Sequence, residues 1–534
     1  MITKLIVLGG YFLVVMVIGI YARTRLKSTP ETYFLADRRL GAFVLLGTMA
    51  ATNFSAFTIF GTSGAGYRDG YAFFPIMGFG TGFMALTFWV IGKKAWQIGK
   101  EKGVVTPPEL IRVLYGSPFL SLLVSIVMIV FTIPYLALQP MAAGYALEEL
   151  LHMPYFQGCI LVTLLMVGYT FRGGMRAVAW TDLFQGFVMV AVLIAAFSLV
   201  VRHHGGFAET QHKVFEVAPK LFARPGANGT YTVGVWMSYL MLWFFADPMF
   251  PQLFQRFFSA RSEKALKMTM LWYPAVCTLI FFIPISIGVM GRLSFPDLTG
   301  KAADRILPMV MNALGGDLMS SLVVAAGLAA LMSTMDSQLL TLSSLFTRDI
   351  LPVISKRLPE TSMPGRFFVI ALAALGLILA YRPPATILQI ATQTFTGLAV
   401  LFPTVLFGIY LKKVYAAAAI LSIVCGEGLL VLFYTGILSG GIFLPVVWVM
   451  AAGFAVYLVV HAVFAAKNGT SAGINLYGRI ANPYLFGFTS VFFLGIDFWA
   501  WNWIGPTAGG IPLWIPYYIL LSAVQTLLMY IMVR

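Results

Sequence analysis

Long apolar runs separated by short polar segments recur along the whole chain of 534 residues. A helix that crosses a bilayer needs about 20 largely apolar residues, and the pattern predicts about fifteen such spans. They fall near residues 2–22, 41–67, 71–98, 117–150, 155–171, 179–202, 232–258, 268–291, 317–347, 365–382, 385–411, 414–435, 441–467, 483–504 and 511–533. The sequence therefore predicts an all-α polytopic membrane protein whose main partner is the lipid bilayer.

Composition supports this prediction. Hydrophobic residues make up 60% of the chain, charged residues only 10%, and the mean hydropathy is +0.88. A soluble domain carries about 25% charged residues. The net charge of +15 comes from residues scattered between apolar runs rather than from one patch, so we expect no nucleic-acid partner.

The basic residues also predict an orientation. If the N-terminus lies outside and the spans alternate, most Lys and Arg fall in inner loops, as the positive-inside rule requires. The inner set includes Arg176, Arg256 and Arg348, whereas Arg224 falls in the outer loop 203–231. We therefore expect a protein of the plasma (inner) membrane with its N-terminus outside and its C-terminus in the cytoplasm. The sequence has no P-loop, so we do not expect ATP-driven transport.

Polar residues interrupt two spans in a way that predicts broken helices. The second span reads "GTMAATNFSAFTIFGTSGAG" and crowds Asn53, Thr58 and other polar side chains among glycines. The seventh reads "LWFFADPMFPQLFQRF", where Pro248 and Pro251 remove helix hydrogen bonds. Backbone carbonyls freed at such breaks are cation ligands. The alternatives are Ser and Thr side chains that bond to their own helix and a simple proline kink.

Two further spans carry buried carboxylates. Asp182 lies in "GGMRAVAWTDLFQGFVM", where it either serves a site or pairs with Arg176. In "AAGLAALMSTMDSQLLTLSSLFTRD", Ser333 and Thr334 share a helix face with Ala330, three and four residues earlier. Hydroxyl and carbonyl oxygens suit a hard cation. Polar residues of the eleventh span are also numerous enough to line a cavity.

Together these segments resemble the sodium:solute symporter family over roughly residues 5–465. "GGMRAVAWTDLFQGFVM" is the most specific match, and "WFFADPMFPQLFQRF" and "LAALMSTMDSQLLTLSS" are similar to two other family segments. The resemblance implies a LeuT-like five-plus-five inverted repeat with extra flanking helices. It implies these divisions: a leading helix and cytoplasmic loop at 1–40, repeats at 41–202 and 232–411 joined by the external loop 203–231, and additional helices at 412–534.

The resemblance also implies sites. The sodium site would use the carbonyls of Ala51, Phe54 and Ala330 with the hydroxyls of Ser333 and Thr334. A second cation site, found in some members, would comprise Asp182, Ser333, Asp336 and Ser337. Asp336 stands where such members carry a hydroxyl, so it could strengthen a second sodium site or bind a proton. For the substrate we predict Asn53, Thr58, Trp243, Asp247 and Gln393.

The predicted function is sodium-coupled symport that imports a small organic solute by alternating access. The loop "GKKAWQIGKEKGVVTPPEL" resembles that of monocarboxylate carriers and favours an organic anion. Sodium is the expected coupling ion, with no organic cofactor and no obligate protein partner. One alternative is a proton-coupled carrier using Asp336 and Asp182, and another is a transporter-like nutrient sensor acting through a partner. The sequence has no nucleophile–base arrangement that would indicate an enzyme.

Overall fold

The computed structural model describes residues 1–22, 29–355, 363–383, 387–469, 482–497, 499, 501 and 507–534. The start of the predicted span 385–411 and the end of the predicted span 483–504 lie outside these residues. The described α-helices are α1 Ile2–Ala22, α2 Pro30–Leu35, α3 Ala42–Asn53, α4 Thr62–Asp69, α5 Thr81–Met84, α6 Lys94–Lys102, α7 Pro107–Tyr115, α8 Pro118–Leu151, α9 Tyr155–His203, α10 Phe207–Val217, α11 Val233–Ala246, α12 Pro251–Ser259, α13 Glu263–Met290, α14 Ile306–Leu345, α15 Leu351–Ser355, α16 Met363–Tyr381, α17 Ile387–Ala399, α18 Phe402–Tyr410, α19 Ala416–Tyr434, α20 Pro445–Lys467, α21 Asn482–Leu494 and α22 Trp514–Val533. Strands β1 Thr507–Ala508 and β2 Ile511–Pro512 form a short antiparallel hairpin.

Shorter helical segments connect several of these helices. The 3₁₀ segments are Ala36–Arg38, Gly70–Phe73, Pro219–Phe222, Asp247–Met249, Gly291–Leu293 and Gly300–Arg305, and the π-helical segments are Phe57–Gly61, Ile76–Gly80, Phe88–Lys93 and Phe346–Ile350. Within the described part of the chain, 11 helices are long and apolar enough to cross a membrane, and two bent helix pairs raise that number to 13. The remaining predicted spans match two shorter apolar helices. One is Tyr155–Phe171, the part of α9 that precedes a break at Gly174 (φ 64°, ψ −175°), and the other is Tyr484–Leu494. The prediction of an all-α polytopic protein is confirmed.

The first bent pair lies where the polar second span predicts a broken helix. α3 ends at Asn53, Phe54 is extended (φ −84°, ψ 93°), and the chain resumes as a helix at Phe57 after a bend of 62°. Side chains accept the freed N–H groups: Gln139 Oε1 lies 3.3 Å from Ala56 N, and Ser55 Oγ lies 3.2 Å from Phe57 N. These bonds satisfy backbone groups that lipid cannot.

The second bent pair has proline as its cause. α11 ends at Ala246, and α12 begins at Pro251 after a bend of 51°. Phe250, directly before the proline, has φ −59° and ψ 120°, because the proline ring disfavours the helical conformation of its predecessor. Both expected breaks are therefore present, and they face each other across the core.

Glycines in the later half of the second span allow close helix packing. A Cβ placed on Gly66 would lie 2.4 Å from the carbonyl oxygen of Ile285, and one on Gly288 would lie 2.0 Å from that of Ser63. Both distances are far below contact distance, so α4 and α13 approach as only glycine permits. The glycine-rich sequence thus serves packing.

Ion pairs between loops follow the predicted alternation of loop sides. Pairs among the predicted inner segments include Arg38–Glu31, Lys93–Glu263 and Arg348–Glu109, at 2.6, 2.6 and 2.7 Å. Pairs among the predicted outer segments include Arg68–Asp304, Arg305–Glu148 and Lys4–Asp317, at 3.0, 2.6 and 3.4 Å. Arg38 and Glu31 lie in one predicted inner loop, and each of the other five pairs joins two segments that the charge pattern assigns to the same side.

A buried aromatic enclosure, here called the Arg224 box, joins the loop 203–231 to the C-terminal helices. The Arg224 guanidinium lies 4.6–5.4 Å from the ring centres of Trp236, Trp501, Trp514 and Tyr518. It also lies 3.2 Å from Asp497 Oδ2 and donates to Tyr518 OH at 2.7 Å. Arg224 is fully buried, and a guanidinium out of water needs such a carboxylate and ring faces. Through Arg224, the C-terminal part of the chain therefore holds the loop 203–231 in place.

Candidate functional site

Hydroxyls of α14 meet the carbonyl end of α3 at the first helix break. Ser333 Oγ donates to Ala51 O at 2.7 Å and to Ala330 O at 2.9 Å. Thr334 Oγ1 donates to Thr52 O at 2.9 Å and to Ala330 O at 3.2 Å. Four hydrogen bonds therefore link five oxygens from two helices.

This convergence follows from local sequence. Residues 330, 333 and 334 occupy one face of a continuous helix, so their side chains and carbonyl point the same way. α3 stops at Asn53, which leaves its last carbonyls without helical partners. Phe54, the fifth residue predicted for the sodium site, follows directly and is buried with its ring against Tyr273 and Phe281.

One helical turn further along α14, a charged cluster lies wholly inside the protein. Asp182 Oδ2 accepts hydrogen bonds from Thr48 Oγ1, from Thr52 Oγ1 at 3.2 Å and from Arg256 Nη2 at 2.9 Å. The same Arg256 nitrogen donates to Ser337 Oγ at 2.6 Å. Asp182 and Arg256 are both fully buried, so their attraction is little screened.

A second carboxylate completes this cluster. Asp336 Oδ2 accepts from Tyr169 OH at 3.1 Å, and Ser337 Oγ lies 3.4 Å from Asp336 Oδ1. Among the described residues, Arg256 is the only basic side chain that pairs with either carboxylate. The cluster therefore holds two acids and one guanidinium, which pairs with Asp182. With both acids ionised the cluster carries a net charge of −1.

Two sequence interpretations of this region need correction. Asp182 pairs with Arg256, and Arg176 is exposed on the face of α9. Arg256, which the charge pattern assigns to an inner loop, lies on α12 with its side chain fully buried. The bend at Pro251 explains both, because it turns α12 toward α3 and α9 and carries Arg256 into the core.

Four of the five predicted substrate residues line one small cavity between the two breaks. These are Asn53, Thr58, Trp243 and Asp247, joined by aromatic side chains that include Tyr135 and Phe395. Asn53 Nδ2 donates to Tyr273 OH at 2.6 Å and to Asp247 Oδ2 at 3.4 Å. The cavity volume is only about 10 Å³, room for about one water molecule. Its aromatic wall must rearrange to admit a solute.

Gln393 lies apart from these four residues. Its side chain is exposed and lines a separate, largely apolar cavity of about 290 Å³ with Phe131 and Tyr434. The reason is helix geometry: Phe395, two positions later on α17, points to the opposite face and packs on Trp243 with ring centres 5.2 Å apart. Phe395, and not Gln393, therefore lines the cavity between the two breaks.

With this geometry established, comparison with known proteins gives the family. The model described as "Sodium:solute symporter family" matches residues 33–426, which is most of the chain. The chain belongs to the sodium:solute symporter family. It is accordingly a multi-pass membrane protein of the transporter class.

Curated relatives of this symporter carry transport functions. The sodium/pantothenate symporter of Haemophilus influenzae is 29% identical over 401 residues, covering 74% of this chain and 82% of the relative. The high-affinity proline transporter PutP of Bacillus subtilis is 27% identical over 455 residues, covering 83% and 94%. These relatives support sodium-coupled symport.

Solved structures support the fold of this symporter. A Na⁺-coupled sialic acid symporter in a substrate-bound outward-open state superposes with a TM-score of 0.74 at 19% identity, covering 87% of this chain and 98% of that chain. A nucleobase-cation-symport-1 family transporter in a closed conformation gives a TM-score of 0.57 at 13% identity, covering 84% and 97%. The LeuT-like architecture predicted from the sequence is confirmed.

Sequence reasoning missed several residues that the symporter fold brings to these sites. The sequence could have indicated Arg256, because a charge within the apolar run 232–258 requires a buried partner. Thr48 and Tyr169 carry no such signal, since a hydroxyl in an apolar helix usually bonds its own backbone. Their roles depend on which helices the fold packs together.

Proposed function

We propose that this symporter imports a small organic solute with sodium, and that sodium binds where α14 meets the end of α3. The observation that carries this proposal is the approach of Ser333 Oγ to Ala51 O at 2.7 Å and of Thr334 Oγ1 to Thr52 O at 2.9 Å. The carbonyl end of a helix carries a partial negative charge, which attracts a cation. The proposed ligands are those predicted from the sequence, Ala51, Phe54, Ala330, Ser333 and Thr334, with Thr52 O beside them.

Sodium at this position would couple ion binding to conformation. The proposed ligands belong to a broken helix and to the part of α14 that follows Gly316. An ion that binds both favours the arrangement in which they meet. We propose that this arrangement opens outward and orders the solute cavity. A membrane potential adds about 2.3 kcal/mol per charge per 100 mV to the driving force.

We further propose that the Asp182–Asp336 cluster takes up a second cation. Arg256 neutralises only one of the two acids, and an unpaired charge inside a membrane protein is costly. The group predicted from the sequence comprises Asp182, Ser333, Asp336 and Ser337, and Arg256 already contacts two of its members. A proton on Asp336 would balance the same charge, which keeps proton coupling as the second candidate.

The solute is proposed to bind between the two helix breaks, beside Asn53, Thr58, Trp243 and Asp247. The family resemblance of the loop that contains Lys93 and Lys94 favours a solute with an acid group. In this proposal the repeats 41–202 and 232–411 form the transport core. The N-terminus faces outward and the C-terminus lies in the cytoplasm of the cell.

Transport by purified protein in liposomes tests this function. Uptake from a panel of small organic solutes is measured with sodium or choline outside, at equal internal and external pH. We expect accumulation only with an inward sodium gradient. Equal uptake in choline contradicts sodium coupling and favours the proton-coupled carrier, whereas the absence of any accumulation favours a sensor.

A further inference from the structure

Asp247 is a buried acid in the proposed solute cavity that no basic side chain accompanies. Its exposed fraction is 1%. Asn53 Nδ2 lies 3.4 Å from Oδ2, while Oδ1 has no hydrogen-bond partner among the residues that the structure describes. No ion pair to Asp247 occurs in that part of the chain either. A carboxylate in this position needs a positive partner or a proton.

The surrounding backbone increases the negative potential. α3 ends at Asn53 and α11 ends at Ala246, directly before Asp247. Helix C-termini carry partial negative charge, and the Asn53–Asp247 contact brings these two ends together. Two helix ends and one carboxylate therefore lie close together at this cavity.

Two other polar groups of the cavity also have no hydrogen-bond partner among the described residues. They are the indole N–H of Trp243 and the hydroxyl of Thr81, and both side chains are at least 98% buried. Buried polar groups are normally paired. The cavity thus presents one unsatisfied acid and two groups that can donate to an oxygen.

The walls of the cavity distinguish an organic cation from a metal ion. The rings of Phe57 and Phe395 lie 5.5 and 5.2 Å from that of Trp243. A hard metal ion requires several oxygen ligands, whereas an alkylammonium group also interacts favourably with aromatic faces. The oxygens of Ala51, Ser333 and Thr334 proposed for sodium meet at the contact between α3 and α14 and do not line this cavity.

We propose that the solute is a small zwitterion, an amino-acid-like molecule whose protonated amine pairs with Asp247. Its carboxylate accepts hydrogen bonds from Trp243 and Thr81. This inference rests on the proposed function, because it takes the cavity between the breaks as the solute site. It refines the expectation of an organic anion: the acid group remains, and the amine offsets the charge of Asp247.

Matched solutes test this proposal with the full-length protein in liposomes. Each set contains an amino acid, the same acid without its amine, and the amine without the acid: alanine, propionate and ethylamine, or proline, cyclopentanecarboxylate and pyrrolidine. Sodium-dependent currents are recorded on a solid-supported membrane. We expect at least one zwitterion to drive current and its amine-free acid to be at least a hundredfold weaker.

Variants identify the group that recognises the amine. Asp247→Asn is expected to weaken the apparent affinity for the zwitterion by ten- to a hundredfold, and Asp247→Glu by less. Trp243→Phe keeps an aromatic ring and removes the N–H. It should therefore lower the apparent affinity for zwitterions and for amine-free acids alike. If Asp247→Asn does not fold, the comparison of matched solutes on the unaltered protein decides alone.

The results that overturn the proposal differ from those that overturn the proposed function. Currents of equal size from an acid and its amino acid, or no current from any zwitterion, reject the solute class. Thermal stabilisation by sodium alone is measured on the same preparation without solute. If sodium does not stabilise the protein, sodium coupling fails instead.

Discussion

The guanidinium of Arg256 lies 2.9 Å from the carboxylate of Asp182, although 74 positions separate the two residues in the sequence. This ion pair joins α12, the second half of one broken helix, to α9. Thr48 of α3, the first half of the other broken helix, hydrogen-bonds to both residues of the pair. The pair therefore links α3, α9 and α12 inside the protein. Its strength should influence both stability and turnover.

Breaking this pair should destabilise the protein strongly. Arg256→Gln leaves two buried acids without a cation, and loss of one partner of a buried pair costs about 3–5 kcal/mol. The double variant Asp182→Asn with Arg256→Gln should lose less stability than the sum of the losses in the two single variants. Thermal unfolding in detergent measures all three, and additive losses would contradict a direct pair.

Removal of the α14 hydroxyls should raise the sodium requirement. Ser333→Ala with Thr334→Ala deletes two proposed ligands, each expected to contribute about 1.5–3 kcal/mol as a bond to a charged group. The sodium concentration for half-maximal thermal stabilisation should therefore rise at least tenfold.

Ser343→Ala is the matched control for that variant. Ser343 is buried on the same helix, and its hydroxyl donates to Leu340 O within that helix. Its sodium dependence should equal that of the unaltered protein. Unchanged sodium dependence in the Ser333–Thr334 variant would remove the proposed site.

Asp336 should determine how many cations bind. We expect equilibrium binding of ²²Na⁺ to give two ions per protein, and one ion after Asp336→Asn, because the substitution removes the excess negative charge. One ion in both proteins would assign a proton to Asp336. A change in the amount of bound sodium between two pH values would then indicate that protonation of the cluster is linked to sodium binding.

Substitution of Phe395, rather than of Gln393, should impair solute transport. Phe395 packs on Trp243 and, with ring centres 4.5 Å apart, on Phe250. Phe395→Ala should lower solute-dependent current severalfold or more, since it removes part of the cavity wall. Gln393→Ala, two positions away on the same helix, should change it less than twofold. A larger loss of current in Gln393→Ala than in Phe395→Ala would instead support Gln393 as a solute-binding residue.

The Arg224 box should make the C-terminal helices necessary for stability. Arg224→Gln leaves Asp497 buried without its cation, so we expect a loss of about 3–5 kcal/mol and a lower midpoint of thermal unfolding. Lys220→Ala changes an exposed residue of the same loop and should have no effect. Equal midpoints for the two variants would contradict a structural role for the box.

Local sequence patterns predicted much of this protein. Length and hydropathy define the spans, because lipid requires long apolar helices. Pro251 and the polar run around Asn53 predict the two breaks, since each removes or competes for helix hydrogen bonds. The spacing of Ala330, Ser333 and Thr334 places them on one face without knowledge of the fold.

Contacts between distant segments could not be predicted in this way. The partner of Asp182 depends on the direction in which α12 leaves Pro251, and a bend angle is not encoded in spacing. Gln393 and Phe395 lie on the same helix, and only the rotation of α17 about its axis decides which one meets Trp243. The ion-pair partner of Arg224, Asp497, lies after the segment 33–426 that the family model matches.

The distance in sequence between Arg224 and Asp497 has a consequence for biogenesis. The two residues are 273 positions apart, and at about 5–20 residues per second the ribosome needs roughly 14–55 s to proceed from one to the other. During this interval Arg224 has neither its carboxylate nor two of the indole rings that enclose it. The loop therefore reaches its final place only after the last helices are inserted, so closing the Arg224 box is a late step in assembling the protein.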